Sequence, residues 1–215
     1  MMSFIQTKAT RLCILIILGL LSLIRKRAEG GEHAELRIDF GEHYFKYQDM
    51  KKAFNKEEKL WLFGMNYPYR TVACVFFTTN SLEGDTLHYT YNVWLKNTWQ
   101  KYPHEGTFFT DDGADYYPVQ AKHPTPNSMR AVKSKDNPDI RNYRLVYGDH
   151  GCFIFRVPGQ LNGFGCMVLL EDAAVNTGMD RGCKSIYNHA CGVSPPFKQV
   201  YERECQNHRG KFTNE

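Results

Sequence analysis

The sequence of 215 residues lacks the features of a membrane-spanning protein, a metal centre or a known enzyme class. Its one continuous apolar run, from Leu12 to Ile24, is shorter than the roughly 20 residues that a transmembrane helix needs. There is no Cys-x-x-Cys pair, no His-Glu-x-x-His motif and no short Cys/His cluster, which argues against a metal site. There is also no Gly-x-Ser-x-Gly elbow and no phosphate-binding glycine-rich loop. We therefore expect neither enzymatic activity nor a cofactor.

The apolar run has the length and the flanks of a secretory signal peptide. Lys8 and Arg11 precede it, and small residues at Ala28 and Gly30 fit a cleavage site. The sequence thus predicts a signal peptide over residues 1–30 and a mature domain over residues 31–215. The alternative is a short signal anchor, because the basic residues 25–27 directly follow the run and oppose translocation.

Charge and cysteine content agree with secretion. Residues 1–30 carry five basic residues and one acidic residue, so their removal takes the formal net charge from +4 to neutral. A neutral chain offers no electrostatic attraction for nucleic acid or for an anionic membrane. Six of the seven cysteines remain after cleavage, an even number that predicts three disulfides in an oxidising compartment. Sequence alone leaves all 15 pairings of six cysteines open.

Hydrophobic periodicity indicates a short helix followed by a long series of strands. Tyr44, Tyr47, Met50 and Phe54 recur at helical spacing. The period then changes to two, and turn residues separate eight short runs rich in aromatic and β-branched residues. The predicted strands lie near 59–66, 70–79, 86–96, 99–110, 128–134, 140–147, 151–157 and 164–171.

The order of these elements predicts the fold class. Nearly every connection is short, apart from the proline-containing loop of residues 111–127, and a second helix is expected over residues 180–190. We therefore predict an all-β protein with flanking helices, an eight-stranded antiparallel up-and-down barrel, which is the smallest closed sheet that holds a ligand. A β-sandwich is the structural alternative.

Several segments together carry a resemblance to a known family. They are the tryptophan-containing first strand at Lys59–Leu62, the second strand at Tyr69–Val75, the hairpin at Tyr143–Ile154 and the tail from Cys183 to Cys205. With all six cysteines in place, the chain resembles the tick salivary lipocalins of the ixodid type, which include the histamine-binding proteins. The resemblance implies a secreted lipocalin that sequesters small host mediators such as histamine. It also implies disulfides between Cys74 and Cys205, Cys152 and Cys183, and Cys166 and Cys191.

The chain departs from the amine-binding members of that family at two positions. Their motif of Cys-Asp-aliphatic, a spacer and Glu-Leu-aromatic falls on Cys152–Ile154 and Met167–Leu169, with a closing cysteine at Cys183. Phe153 and Met167 stand where the acids are expected, and neither can offset the dehydration of a buried ammonium. Glu105, on the fourth predicted strand, is the best-placed acid elsewhere. His104 also lies on that strand, where it could hydrogen-bond a ligand.

The missing acids leave the ligand class open. An aromatic cage of tyrosine and tryptophan faces could still recognise a cation, whereas an apolar lumen favours a lipid such as a leukotriene or fatty acid. Aromatic and methionine side chains at alternating strand positions also fit a plain barrel core. A third alternative is a protein-binding inhibitor that uses the barrel as a scaffold for the loop of residues 111–127. We expect a monomer whose candidate ligand-binding residues are Trp61, Tyr89, Tyr91, Trp94, Glu105, Tyr143, Phe153, Phe155, Met167 and Leu169.

Overall fold

The computed structural model describes residues 38–55, 59–68, 74–113, 121–132 and 140–211. The predicted signal peptide, the start of the predicted second strand and the middle of the proline-containing loop lie outside these residues. Within them, no helix combines the length and the apolar character needed to cross a bilayer.

Eight antiparallel strands form a closed barrel. Each strand pairs with the next along the chain, and β1 pairs with both β2 and β8, which closes the sheet. This confirms the predicted up-and-down barrel and rules out the sandwich. The strands are β1 (Leu60–Met65), β2 (Val75–Glu83), β3 (Thr86–Leu95), β4 (Thr98–Phe109), β5 (Ser128–Val132), β6 (Ile140–Asp149), β7 (Cys152–Val157) and β8 (Gly165–Glu171).

The predicted N-terminal helix is two short helices with a break between them. A 3-10 helix over Glu42–Tyr47 precedes an α-helix, α1, over Met50–Phe54. The break occurs at Asp49, whose side chain caps α1 by accepting a hydrogen bond from the backbone N–H of Lys52. The buried Gln48 amide also donates to the carbonyls of Ile38 and Val146, which holds the break against the barrel.

The C-terminal part of the chain packs outside the barrel. The predicted second helix is present as α2 (Arg181–Cys191). It is followed by a two-residue strand, β9 (Lys198–Gln199), which pairs with β1, and by a 3-10 helix over Arg203–Lys211.

The barrel interior is filled at one end, which we call the closed end. The α1 residues Met50 and Phe54 are buried there, and the Phe54 ring lies 6.0 Å from those of both Phe108 and Phe155. The Met50 N–H donates to the carbonyl of Pro126, so α1 is fixed to the chain leading into β5. The opposite end carries the β1–β2 and β7–β8 connections and is the open end.

A second hydrophobic core, the outer cluster, lies between the barrel wall and the C-terminal segments. It contains the outward-facing residues of β1, β7 and β8 together with buried residues of α2, including Cys183 and Tyr187. These three strands are consequently buried on both faces. The structure pairs Cys74 with Cys205, Cys152 with Cys183 and Cys166 with Cys191, the same pairs that the family resemblance implies.

A buried ion-pair network ties the N-terminal segment to the wall beside α2. Asp39, which is fully buried, accepts two hydrogen bonds of 2.9 Å from the Arg156 guanidinium. Arg144 lies 3.5 Å from the same carboxylate and also pairs with Asp111. The Arg156 guanidinium donates as well to the carbonyl of Ala190 in α2. Both arginines therefore have structural partners outside the barrel interior.

Candidate functional site in the open end of the barrel

The open half of the barrel holds a cavity of about 750 Å³. This volume is within the range of small-molecule sites in proteins. Tyr67 and Pro68 of the β1–β2 connection and Gly159 and Gln160 of the β7–β8 connection line its mouth. The strand pairing dictates which side chains reach it, because residues two apart on a strand share one face.

One wall of the cavity is aromatic. Tyr89 and Tyr91 of β3 stand opposite His104 and Tyr102 of β4 in the strand register, and Phe77 of β2 lies beside them. The ring centroids of Phe77 and Tyr91 are 5.5 Å apart, and those of Tyr89 and His104 are 5.3 Å apart. These contacts hold the rings of three adjacent strands as one surface.

The facing wall is mainly aliphatic. It consists of Leu62 and Met65 of β1, Val157 of β7 and Met167 of β8. Between this wall and the aromatic one stand Ala131 of β5 and the β6 residues Arg141 and Tyr143.

The charge in the cavity is positive. The described residues that line the cavity include no aspartate or glutamate, whereas Arg141 contributes a permanent guanidinium charge. Arg141 stands opposite Ala131 in the strand register, and Tyr143 stands opposite Met129. Leu145, two residues beyond Tyr143 and four beyond Arg141, is fully buried in the barrel interior. Because alternate residues of a strand share one face, Arg141 lies on the inner face of β6. Arg141 is exposed and lies near the start of β6, at the open end of the barrel.

The hydroxyl of Tyr89 stays protonated at physiological pH. Burial raises the pKa of Tyr89 far above its ordinary value of 10.0, the neighbouring Tyr143 adds to this, and the charge of Arg141 acts in the opposite direction. Tyr89 is only 5% exposed, so a ligand would meet a neutral phenol as a hydrogen-bond donor or acceptor.

Four of the ten predicted ligand-binding residues line this cavity. They are Tyr89, Tyr91, Tyr143 and Met167. The structure thus brings together three of the predicted aromatic residues and one of the two positions at which the family motif has an acid.

Three further candidates fill the closed end instead. Phe153, Phe155 and Leu169 point into the barrel but pack against the α1 residues and their neighbours. Phe153 is 6% exposed and does not border the cavity. The first acidic position of the family motif therefore lies in packed core, because the side chain of Phe153 occupies the space near the closed end.

The remaining three candidates lie outside the barrel interior. Trp61 is buried in the outer cluster, and its indole N–H donates to Asp172 at 2.6 Å. Trp94 stacks on His208 with a centroid distance of 4.2 Å. Glu105 faces outward, with a side chain that is 53% exposed and 4.0 Å from the ring of His88. It cannot replace the missing acids within this cavity.

Sequence reasoning did not include Phe77, Tyr102 or Arg141 among the site residues and considered His104 only as a hydrogen-bonding residue. A parity argument finds two of them, since Tyr102 pairs with Tyr91 across the β3–β4 hairpin and Arg141 lies two residues from Tyr143. Phe77 could have been found in the same way, because it shares a face with Val75.

Comparison with known proteins identifies relatives of this architecture. The sequence model of the family described as tick histamine binding protein matches residues 39–207. No curated protein sequence matches the chain. Among solved structures, the serotonin complex of AM182 is similar with a TM-score of 0.53 and 13% identity, covering 72% of this chain and 90% of that chain. Japanin from Rhipicephalus appendiculatus bound to cholesterol is similar with a TM-score of 0.52 and 14% identity, covering 71% and 98%. At these identities the two structures establish the fold alone.

Proposed function

The chain belongs to the tick histamine-binding protein family, and from this premise we propose that it is a secreted lipocalin that sequesters a small host mediator. Removal of this mediator by the protein would weaken the inflammatory defence of the host. Three disulfides and the predicted signal peptide support an extracellular location, since such bonds persist in oxidising compartments. The enclosed cavity supports a binding role, and the sequence motifs of known enzymes considered above are not present in the chain.

The cavity at the open end is the observation that carries the proposal. A lumen packed along its whole length would leave a scaffold with no small-molecule site, whereas about 750 Å³ stays open behind a mouth formed by two strand connections. The filled half supports the site, because α1 and the phenylalanines beneath it give the cavity a rigid floor.

The chemistry of the lining favours a lipid mediator over a small primary amine. A buried ammonium loses several kcal/mol of hydration, which a carboxylate usually offsets, and the described lining offers none. The guanidinium of Arg141 would also repel a cation. Aliphatic and aromatic residues outnumber the others in the lining, so burial of an apolar chain would contribute to binding.

A biogenic amine is the second candidate. The family match and the aromatic wall support it, because the faces of Phe77, Tyr89, Tyr91 and Tyr102 could attract a cation. Such ring faces suit a weakly hydrated amine better than histamine. An indole amine would gain more than histamine from the aromatic wall, since it buries a larger apolar surface.

The test is a calorimetric titration of the disulfide-bonded protein secreted by cells that express the full chain. Its N-terminal sequence is read first, and a start near Gly31 supports a cleaved signal peptide whereas an intact leader supports the anchored alternative. We expect micromolar or tighter binding of a fatty acid or leukotriene with a negative heat-capacity change, and binding of histamine at least tenfold weaker.

Tight histamine binding without lipid binding would contradict the assignment of a lipid ligand and support a biogenic amine instead. Absence of heat with every small molecule at two well-separated temperatures would contradict the small-molecule function, since apolar burial can have an enthalpy near zero at one of them. The protein-binding alternative would then be tested by immobilising the protein and passing host plasma proteases and complement components over it.

A further inference from the structure

We propose that Arg141, with the hydroxyls of Tyr89 and Tyr143, binds the carboxylate of an acidic lipid whose chain fills the cavity below. This inference rests on the proposed function and deepens it, because it names the ligand class and the residue that selects it. Phe153 and Met167, which stand at the acid positions of the family motif, take no part in binding the carboxylate.

The position of Arg141 matches the requirement for a headgroup site. It lies near the start of β6 at the open end, while the interior residues Tyr143 and Leu145 follow it toward the closed end on the same face. A lipid that enters tail first would leave its carboxylate at the level of Arg141. The headgroup could then keep part of its hydration, which lowers the desolvation penalty that a fully buried ion pair has.

The neighbours of Arg141 supply neutral donors. Tyr89, Arg141 and Tyr143 all line the cavity, and Arg141 and Tyr143 lie two residues apart on the inner face of β6. A guanidinium presents paired N–H donors that fit the two oxygens of a carboxylate, and phenol hydroxyls can donate to the remaining lone pairs.

The aliphatic wall of the cavity fits an apolar chain. Leu62, Val157 and Met167 lie on the side away from the tyrosines, and methionine adapts to chains of different shape. An apolar chain there would contact mainly carbon and sulfur atoms. The distribution of charge at the mouth and apolar surface below it matches the polarity of a fatty acid.

Two buried arginines serve a different purpose. Arg144 and Arg156 are at most 4% exposed, and both pair with the buried carboxylate of Asp39 outside the barrel interior. Arg130 of β5 lies between the interior residues Met129 and Ala131, so its side chain faces outward. Arg130 is thus a matched control that removes the same charge from the neighbouring strand without altering the lining.

The experiment measures the affinities of palmitate and hexadecanol for the wild-type protein, Arg141→Gln and Arg130→Gln. These ligands share the alkyl chain and differ in the charge of the headgroup. We expect the wild type and Arg130→Gln to bind palmitate more tightly than hexadecanol. In Arg141→Gln, palmitate should bind about five- to tenfold more weakly, and hexadecanol should change less than twofold. Unchanged melting temperatures establish that all three proteins are folded.

Three outcomes would overturn the inference. Equal weakening of palmitate by both substitutions would show a general charge effect, and equal loss of palmitate and hexadecanol in Arg141→Gln would show a packing role. If palmitate and hexadecanol bind the wild type equally, Arg141 does not select a carboxylate although the lipid-binding function stands. Failure of the wild type to bind either ligand would contradict the proposed lipid-binding function itself.

Discussion

At the scale of single residues, His123 is a buried titratable side chain with a consequence for stability. It is 3% exposed, its ring lies 4.3 Å from that of Phe45, and its Nδ1 is 2.6 Å from the carbonyl oxygen of Thr125. Burial lowers the pKa of His123 below its ordinary value of 6.5, although the Thr125 hydrogen bond and the charge of Asp49 act in the opposite direction. The folded protein therefore holds this imidazole neutral.

The depressed pKa of His123 predicts a loss of stability in mild acid. Below about pH 6.5 the unfolded chain binds a proton that the folded protein binds only at lower pH. The contribution of the neutral His123 to the free energy of unfolding is complete above that pH, and it falls as the pH drops toward the pKa of His123 in the folded protein. We expect His123→Gln to lose less unfolding free energy between pH 7 and pH 5 than the wild type, as measured by urea denaturation.

The matched control for His123 is the exposed His189 on α2. His189→Gln replaces an exposed imidazole with the same side chain and so measures how far the substitution itself alters the pH dependence. Identical pH dependence in the wild type and His123→Gln would contradict the assignment.

At the scale of elements, hydrophobic alternation identified the strands but did not always identify their inner faces. In β3 the alternation is clear, and Tyr89 and Tyr91 share the inner face while Trp94, at odd spacing from them, faces outward. The position of Trp94 was therefore available from the sequence by parity.

In β1, β7 and β8 no such argument was available. Every residue of β1 and β7 is buried, because the outer cluster covers the outside of these strands, so apolar side chains occupy both faces. The sequence could not show that Trp61 faces outward. A register shift between Leu62 and Gly64 also reverses the parity within β1, and no residue pattern marked it.

Gly64, at this register shift, brings the C-terminal strand close to the barrel. It pairs with Gln199 of β9, and a methyl group at its Cα would overlap the Phe197 ring and the carbonyl of Lys198. We expect Gly64→Ala to lower the free energy of unfolding by about 1–3 kcal/mol, because the backbone of β9 must shift.

Gly159→Ala is the control for this substitution, since no atom beyond the neighbouring residues of the chain lies within 4 Å of the added methyl group. It should change the free energy of unfolding by less than about 0.5 kcal/mol. Guanidinium denaturation monitored by tryptophan fluorescence measures both variants. A Gly64→Ala variant as stable as the wild type would show that β9 adapts at no cost.

At the scale of the whole molecule, the order of strands in the barrel followed from short connections, whereas the division of its interior into a filled and an open half did not. That division depends on where α1 enters the barrel. The break between the 3-10 helix and α1 is held in place by Gln48, whose side-chain amide donates to the carbonyls of Ile38 and Val146. The Val146 contact joins residues 98 positions apart in the chain, so no local pattern predicts it. The open half, and with it the site, is a product of tertiary packing.

The disulfides that join the barrel to the C-terminal segments allow a test of how the chain is stabilised. Cys74 and Cys205 are 131 residues apart, whereas Cys166 and Cys191 are 25 residues apart. If the bonds act mainly by restricting the unfolded chain, the longer loop contributes more, by about 1.5 kcal/mol in the chain-entropy treatment. All four cysteines are at most 6% exposed, so replacement by alanine leaves comparable packing defects.

Cys74→Ala/Cys205→Ala should therefore unfold at lower denaturant concentration than Cys166→Ala/Cys191→Ala. The Cys166→Ala substitution also removes a hydrogen bond from Arg156 to the sulfur, which would destabilise that variant further. Observing the predicted order despite this loss would strengthen the chain-entropy explanation. Equal or reversed stabilities in equilibrium denaturation would show instead that native contacts around each bond determine its contribution.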